Sequence, residues 1–128
     1  MRNGRQYALL VEDEALVAMF AADALREMGF EVAEAPSAAQ ALEFAAAGIS
    51  DFEIAIVDLG LPDCDGADLV GELKQMRKDL PIIVASGQSA ETAAAGLACH
   101  ERLSILSKPY QFSTLRASLQ SLGIATAG

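Results

Sequence analysis

Four consecutive apolar residues, Ile54-Ala55-Ile56-Val57, run into a single acid, Asp58, and the chain then breaks into Leu59-Gly60-Leu61-Pro62-Asp63-Cys64-Asp65-Gly66. A short apolar run bounded by turn residues reads as a strand buried on both faces, the kind found inside a parallel sheet. Asp58 then stands at a strand's carboxyl end, where open α/β sheets place their ligands and chemistry. Asp is also a common turn residue, so this position alone decides nothing.

Two further stretches point the same way. Tyr7-Ala8-Leu9-Leu10-Val11 is a second buried-strand run that stops on Glu12-Asp13-Glu14, and Leu103-Ser104-Ile105-Leu106 is a third, followed by Ser107-Lys108-Pro109. As parallel neighbours, these strands bring Glu12, Asp13, Asp58 and Lys108 to one edge of the sheet.

The elements between them alternate regularly. Leu16, Val17, Phe20, Ala21, Ala24, Leu25 and Met28 recur at helical spacing and end at Gly29. Phe30-Glu31-Val32-Ala33-Glu34-Ala35 alternates with a period near two, which suits an edge strand, and Ser37-Ala38-Ala39-Gln40 has capping-box spacing for a helix reaching Gly48. Leu69, Val70, Leu73 and Met76 mark a third helix from Gly66 to about Lys78, and Pro81-Ile82-Ile83-Val84-Ala85 is a buried strand ending on Ser86-Gly87. The Ala-rich stretch 89–100 predicts a weakly anchored helix, with Leu97 its one large apolar residue. Phe112, Leu115, Leu119 and Leu122 predict the inward face of a last helix.

Five βα units in succession predict a doubly wound α/β fold, a five-stranded parallel sheet with helices on both faces and right-handed crossovers. The order 2-1-3-4-5 places the half-exposed second strand at an edge and the two acidic strand ends side by side. At 128 residues this is one domain, 1–128, with 124–128 a short tail.

Composition excludes several functions. With 52% hydrophobic and 21% charged residues the chain is globular, and its net charge of −9 argues against direct DNA binding. No apolar run is long enough for a membrane span, and residues 1–5 lack the features of a signal peptide, so a cytoplasmic protein with no membrane partner is expected. Cys64, Cys99 and the single histidine His100 have neither metal-ligand nor triad spacing, and the cysteines are expected to be reduced thiols.

Clustered carboxylates resist simultaneous ionisation, so Glu12, Asp13 and Asp58 call for raised pKa values or a cation. Carboxylate oxygens, a backbone carbonyl such as that of Gly60, and waters describe a Mg²⁺ site. A carboxylate beside a metal, the Lys108 ammonium and the Ser86 hydroxyl, with Gly87 leaving room for approach, is equipped to take a phosphoryl group as an aspartyl phosphate.

These residues together carry a resemblance. The chain is similar over about residues 6–122 to the response-regulator receiver domains of two-component signalling, with their flavodoxin-like, chemotaxis-regulator fold: Glu12-Asp13 after the first strand, Asp58 with Pro62 and Gly66 after the third, Ser86 after the fourth, Lys108-Pro109 after the fifth. The resemblance implies that Asp58 is the phosphoacceptor, served by the phosphohistidine of a sensor histidine kinase or phosphotransfer protein. It implies Mg²⁺ on Asp13, Asp58 and the Gly60 carbonyl, with Glu12 reached through water, and phosphoryl contacts from Ser86 and Lys108. It further implies a cis peptide before Pro109, switch-associated roles at Gly87 and position 105, and a downstream protein bound on the 89–122 face. Position 105 departs from the family, which usually has an aromatic there; Ile105 puts the aromatic relay in doubt.

Two other functions compete. An aspartate-nucleophile phosphohydrolase carries a second, general-acid Asp two residues after the nucleophile, but Gly60 stands there, so slow self-hydrolysis is expected and not turnover as an enzyme. A docking module independent of phosphorylation has no need of the intact acidic set, Ser86 and Lys108.

Overall fold

A computed structural model of the chain describes residues 6–61, 63, 66–87, 102–124 and 126. The predicted helix 89–100, with Leu97, Cys99 and His100, lies outside the described residues, as do Pro62, Cys64, Asp65 and residues 1–5. The elements are β1 (Gln6–Val11), α1 (Ala15–Glu27), β2 (Phe30–Ala35), α2 (Ala38–Gly48), a 3₁₀ turn (Ile49–Asp51), β3 (Phe52–Asp58), α3 (Gly66–Met76), β4 (Ile82–Ser86), β5 (Leu103–Ser107) and α4 (Phe112–Ser121). All strand pairs are parallel, in the order β2-β1-β3-β4-β5 expected from the sequence.

The central strands are apolar on both faces because each face is covered by helices. Ala8, Leu10, Ile54, Ile56, Ile83 and Ala85 pack with α1 and α4, whereas Leu9, Val11, Ala55, Val57, Ile82 and Val84 pack with α2 and α3. Successive residues of one strand thus feed opposite cores, the period-two alternation of a pleated chain. Each fully buried Leu or Ile contributes about 1.5–3 kcal/mol relative to an exposed one, and this burial fixes the strand register. Val11 pairs with Val57 and Asp58 with Ala85, so the acidic residues that end β1 and β3 reach one level of the sheet.

Several details differ from the sequence reading. β3 begins at Phe52, two residues before Ile54, and α3 stops at Met76, short of Lys78, because Lys74 turns inward. Its Nζ donates to the carbonyls of Leu80 (2.7 Å) and Lys78 (3.3 Å) and ties down the link to β4. In β5 only Leu106 is buried, as befits a strand paired on one side alone among the described residues. Leu16 is 81% exposed and Phe20 42%, with Met19 beside them, although their spacing matches the buried Ala21, Ala24 and Leu25. The apolar band of α1 is wider than the strip the sheet can cover. No helix among the described residues is long and apolar enough to cross a membrane.

This division predicts a contrast in unfolding. Leu10→Ala, which empties a site with 1% exposure, should cost about 2–5 kcal/mol in urea denaturation, whereas Leu16→Ala should stay within about 0.5 kcal/mol of wild type.

Candidate functional site

Beyond the ends of β1, β3 and β5 the sheet continues for one more hydrogen bond, and these bonds position the site. The Glu12 N–H donates to Ala35 O (3.0 Å), Leu59 N–H to Ala85 O (3.0 Å), and Lys108 N–H to Ser86 O (2.8 Å). Glu12, Asp58 and Lys108 are therefore held on backbone that is still part of, or adjoins, the ladder and not on free loop. The Lys108–Pro109 peptide is cis, as the resemblance implies.

The side chains converge. Lys108 Nζ lies 3.2 Å from Glu12 Oε1 and 3.2 Å from Asp58 Oδ1, and the Gly60 N–H donates to the same Asp58 oxygen at 3.0 Å. Glu12 also accepts from the Glu14 N–H through Oε2 (3.2 Å). Glu12 and Asp58 are each 4% exposed, whereas Asp13 is open to solvent. Oxygens of Glu12, Asp13 and Asp58 all lie within 4.8 Å of one another. They adjoin a cavity of about 560 Å³ lined by Asp13, Glu14, Asp58, Leu59, Gly60, Ser86, Gly87 and Lys108.

The charges in this cluster do not balance. Burial, together with the hydrogen bond and negative charge of Asp58, pushes the Glu12 carboxyl up to about 7, against the lowering pull of the Glu14 N–H and Lys108. Burial acts to raise Asp58 as well, but hydrogen bonds from Gly60 N–H, Glu12 and Lys108 outweigh it and hold Asp58 below the usual carboxylate range. Burial disfavours the Lys108 ammonium, yet Glu12 and Asp58 together raise its pKa. One ammonium thus serves two buried carboxylates, and Glu12 holds a proton more readily than an ordinary glutamate. This is the arrangement a divalent cation relieves, and the donor set of carboxylate oxygens suits a hard ion.

Of the residues singled out in the sequence, Glu12, Asp13, Asp58, Gly60, Ser86, Gly87 and Lys108 meet at this site. Ile105 does not: it is half-buried on β5 and packs with the core beneath α2 and α3. Pro109 lines a neighbouring apolar cavity of about 450 Å³ with Glu14, Leu16, Val17, Phe20, Lys108 and Tyr110. Two arrangements were not legible. The Tyr110 ring packs 6.1 Å from Phe20, with its hydroxyl pKa pushed up to about 12 by burial and the nearby Glu12 charge. Asp63 binds the backbone of α2, a partner 24 and 25 residues away that no local spacing signals.

Comparison with known proteins agrees with this geometry. A family model described as "Response regulator receiver domain" matches residues 8–120. Residues of the chain are 31% identical over 120 positions to the sensor kinase CckA of Brucella abortus, a match covering 94% of this chain and 13% of that protein. They are 35% identical over 117 positions to the two-component response regulator PhoP of Pseudomonas aeruginosa, covering 89% of this chain and 50% of that protein. The chain therefore spans half the length of PhoP and a smaller part of CckA. A solved receiver domain from Methylobacillus flagellatus superposes with a TM-score of 0.78 at 28% identity, over 93% of this chain and 99% of that one.

The crowded carboxylates give a direct expectation for cation binding. Asp13→Asn replaces one oxygen of an exposed carboxylate without disturbing the core and should weaken divalent-ion affinity roughly tenfold or more, measured by titration calorimetry or by the ion's effect on thermal unfolding. An affinity equal to wild type would place the ion elsewhere.

Proposed function

Because the chain belongs to the response regulator receiver domain family, we propose that Asp58 accepts a phosphoryl group from the phosphohistidine of a sensor histidine kinase or of a phosphotransfer protein. The observation that carries this reading is the setting of Asp58: a buried carboxylate held ionised by Lys108 and the Gly60 N–H, at the edge of a cavity with Ser86 and Gly87 on its rim. A carboxylate oxygen of Asp58 attacks phosphorus and forms an O–P bond. The N–P bond of the phosphohistidine breaks, and its electron pair returns to the imidazole nitrogen.

The surrounding side chains have separable roles. The Lys108 ammonium, shared between Glu12 and Asp58 in this structure, offsets charge on the phosphoryl oxygens, and the Ser86 hydroxyl, on the cavity's lining, donates to one of them in this reading. Gly87 adds no side chain to the approach, and among the described residues nothing lies within 4 Å of where its Cβ would stand. Mg²⁺ would be held by Asp13, Asp58 and the Gly60 carbonyl, with Glu12 reaching it through water, and the clustered carboxylate oxygens suit such an ion. When bound, the ion neutralises charge on the transferring group. Gly60 carries no side-chain acid, so the acyl phosphate is released by slow self-hydrolysis and not by enzymatic turnover.

The exposed apolar strip of α1 supports a protein as donor. Leu16 and Phe20 border the cavity beside Pro109 and Tyr110, and Lys108 lines both that cavity and the acceptor pocket. A partner covering the strip lies against the acceptor pocket. The signal then passes to a downstream protein through the 89–122 face, of which β5 and α4 are described here; with the overall negative charge, DNA is not a direct partner. Ile105 repacks during this step in place of an aromatic relay.

Labelling by a small phosphodonor such as acetyl phosphate with Mg²⁺ tests the reading. Wild type should gain one base- and hydroxylamine-labile phosphoryl group, and Asp58→Asn, which preserves size and fold, should lose it. Full labelling of Asp58→Asn would move the nucleophile to another residue.

A further inference from the structure

The loop after β3 is pinned at both ends by different means. At its base the Leu59 N–H donates to Ala85 O, and the Gly66 N–H reaches back to Leu59 O at 3.4 Å. The approach there is so close that a Cβ on Gly66 would stand 2.5 Å from Leu59 Cα and 2.8 Å from Asp58 O, so the first residue of α3 must be glycine. At its far side the Asp63 carboxylate leaves the loop altogether. Oδ1 accepts from the Ala38 N–H (3.1 Å) and Oδ2 from the Ala39 N–H (3.2 Å).

These two amides are the first of α2, and they complete its N-terminus. Ser37 Oγ accepts from Gln40 N–H (3.2 Å), and Ser37 O receives Ala41 N–H (3.1 Å) as the first intrahelical bond. A helix start leaves several donors without intrahelical partners, and Ser37 can satisfy only one of them with its side chain. Asp63 supplies acceptors for two more, the Ala38 and Ala39 N–H groups, from a different part of the chain. The partial positive charge of the helix start suits a carboxylate there, and the Ala38 and Ala39 amides hold Asp63 below the usual carboxylate range.

We propose that Asp63 is a positioning residue for the acceptor site: seated on the first two amides of α2, it fixes the loop that carries Gly60 and so holds Gly60 against Asp58. The proposal rests on the reading of Asp58 as a Mg²⁺-dependent phosphoacceptor. Gly60 has two duties in that reading, its N–H on Asp58 Oδ1 and its carbonyl toward the ion, and both depend on the loop's height above the strand end. Only Leu61 and Pro62 separate Gly60 from Asp63, so slack at Asp63 is transmitted to Gly60, while Gly66 and Leu59 keep the base in place. The same link ties the position of α2 to the geometry of the site.

The experiment compares Asp63→Ala, Asp63→Asn and Ser37→Ala in the intact chain. Asp63 is exposed, and all three variants should fold. Two readouts are taken: amide exchange in the metal-free protein, and the Mg²⁺ concentration giving half-maximal labelling by acetyl phosphate. In Asp63→Ala the amides of Ala38, Ala39 and Gly60 should exchange about threefold to tenfold faster, in line with loss of a helix cap, and the Mg²⁺ midpoint should rise by a similar factor. Asp63→Asn keeps one acceptor oxygen and should restore most of both. Ser37→Ala loosens the same helix at Gln40 but should leave the Gly60 amide and the Mg²⁺ midpoint at wild-type values. If Asp63→Ala speeds exchange only at Ala38 and Ala39, or if Ser37→Ala moves Gly60 and the midpoint equally, Asp63 is a helix cap and nothing more. A wild-type protein whose labelling ignored Mg²⁺ would instead overturn the functional reading, and this proposal with it.

Discussion

Glu12, Asp58 and Lys108 form the interaction on which the site depends: one ammonium between two buried carboxylates, at 3.2 Å from each. Burying a carboxylate without a partner costs several kcal/mol, and the lysine offsets that cost together with the Gly60 N–H on Asp58 and the Glu14 N–H on Glu12. The lysine in turn cannot neutralise both, and Asp13 adds a third acid at the solvent side. The result is a cluster that is stable enough to fold and still short of positive charge. Such a deficit draws a cation toward the acids, and the same lysine is available to an incoming phosphoryl group.

That cluster can exist only because the sheet delivers it. Glu12, Asp58 and Lys108 stand at or just past the ends of three different strands, and each strand is fixed in register by apolar side chains feeding cores on both faces. A slip of one residue would exchange those faces and remove the site with them. The ladder bonds of Glu12, Leu59 and Lys108 extend this rigidity into the residues that do chemistry. In the proposed reading, binding and group transfer then require little rearrangement of the strand ends.

Much of this was legible because the signals are local and opposed. An apolar run that stops on an acid, as at Val57-Asp58 or Val11-Glu12, reports both a buried strand and its functional end. The failures have the opposite character, since they depend on what another element covers. Leu16 and Phe20 have the spacing of core residues, but the sheet beneath α1 is too narrow to reach them. Lys74 carries no signal of burial in the sequence, yet it is 7% exposed and its ammonium donates to the Leu80 carbonyl. Leu103-Ser104-Ile105 reads as a buried run, yet these residues are half-exposed, because β5 stands last in the order 2-1-3-4-5 and is paired on one side alone among the described residues. Asp63 looks like one more polar loop residue, and its partners are amides that carry no side-chain signature at all.

The central claim is that Asp58 and its neighbours form a phosphoryl site that needs both the carboxylate and a cation. Fluorine NMR of the protein with beryllofluoride, a mimic of the phosphoryl group, tests it without any kinase. Protein-bound resonances should appear only when Mg²⁺ is present and should vanish in Asp58→Asn. Bound resonances without Mg²⁺, or their survival in Asp58→Asn, would contradict the account.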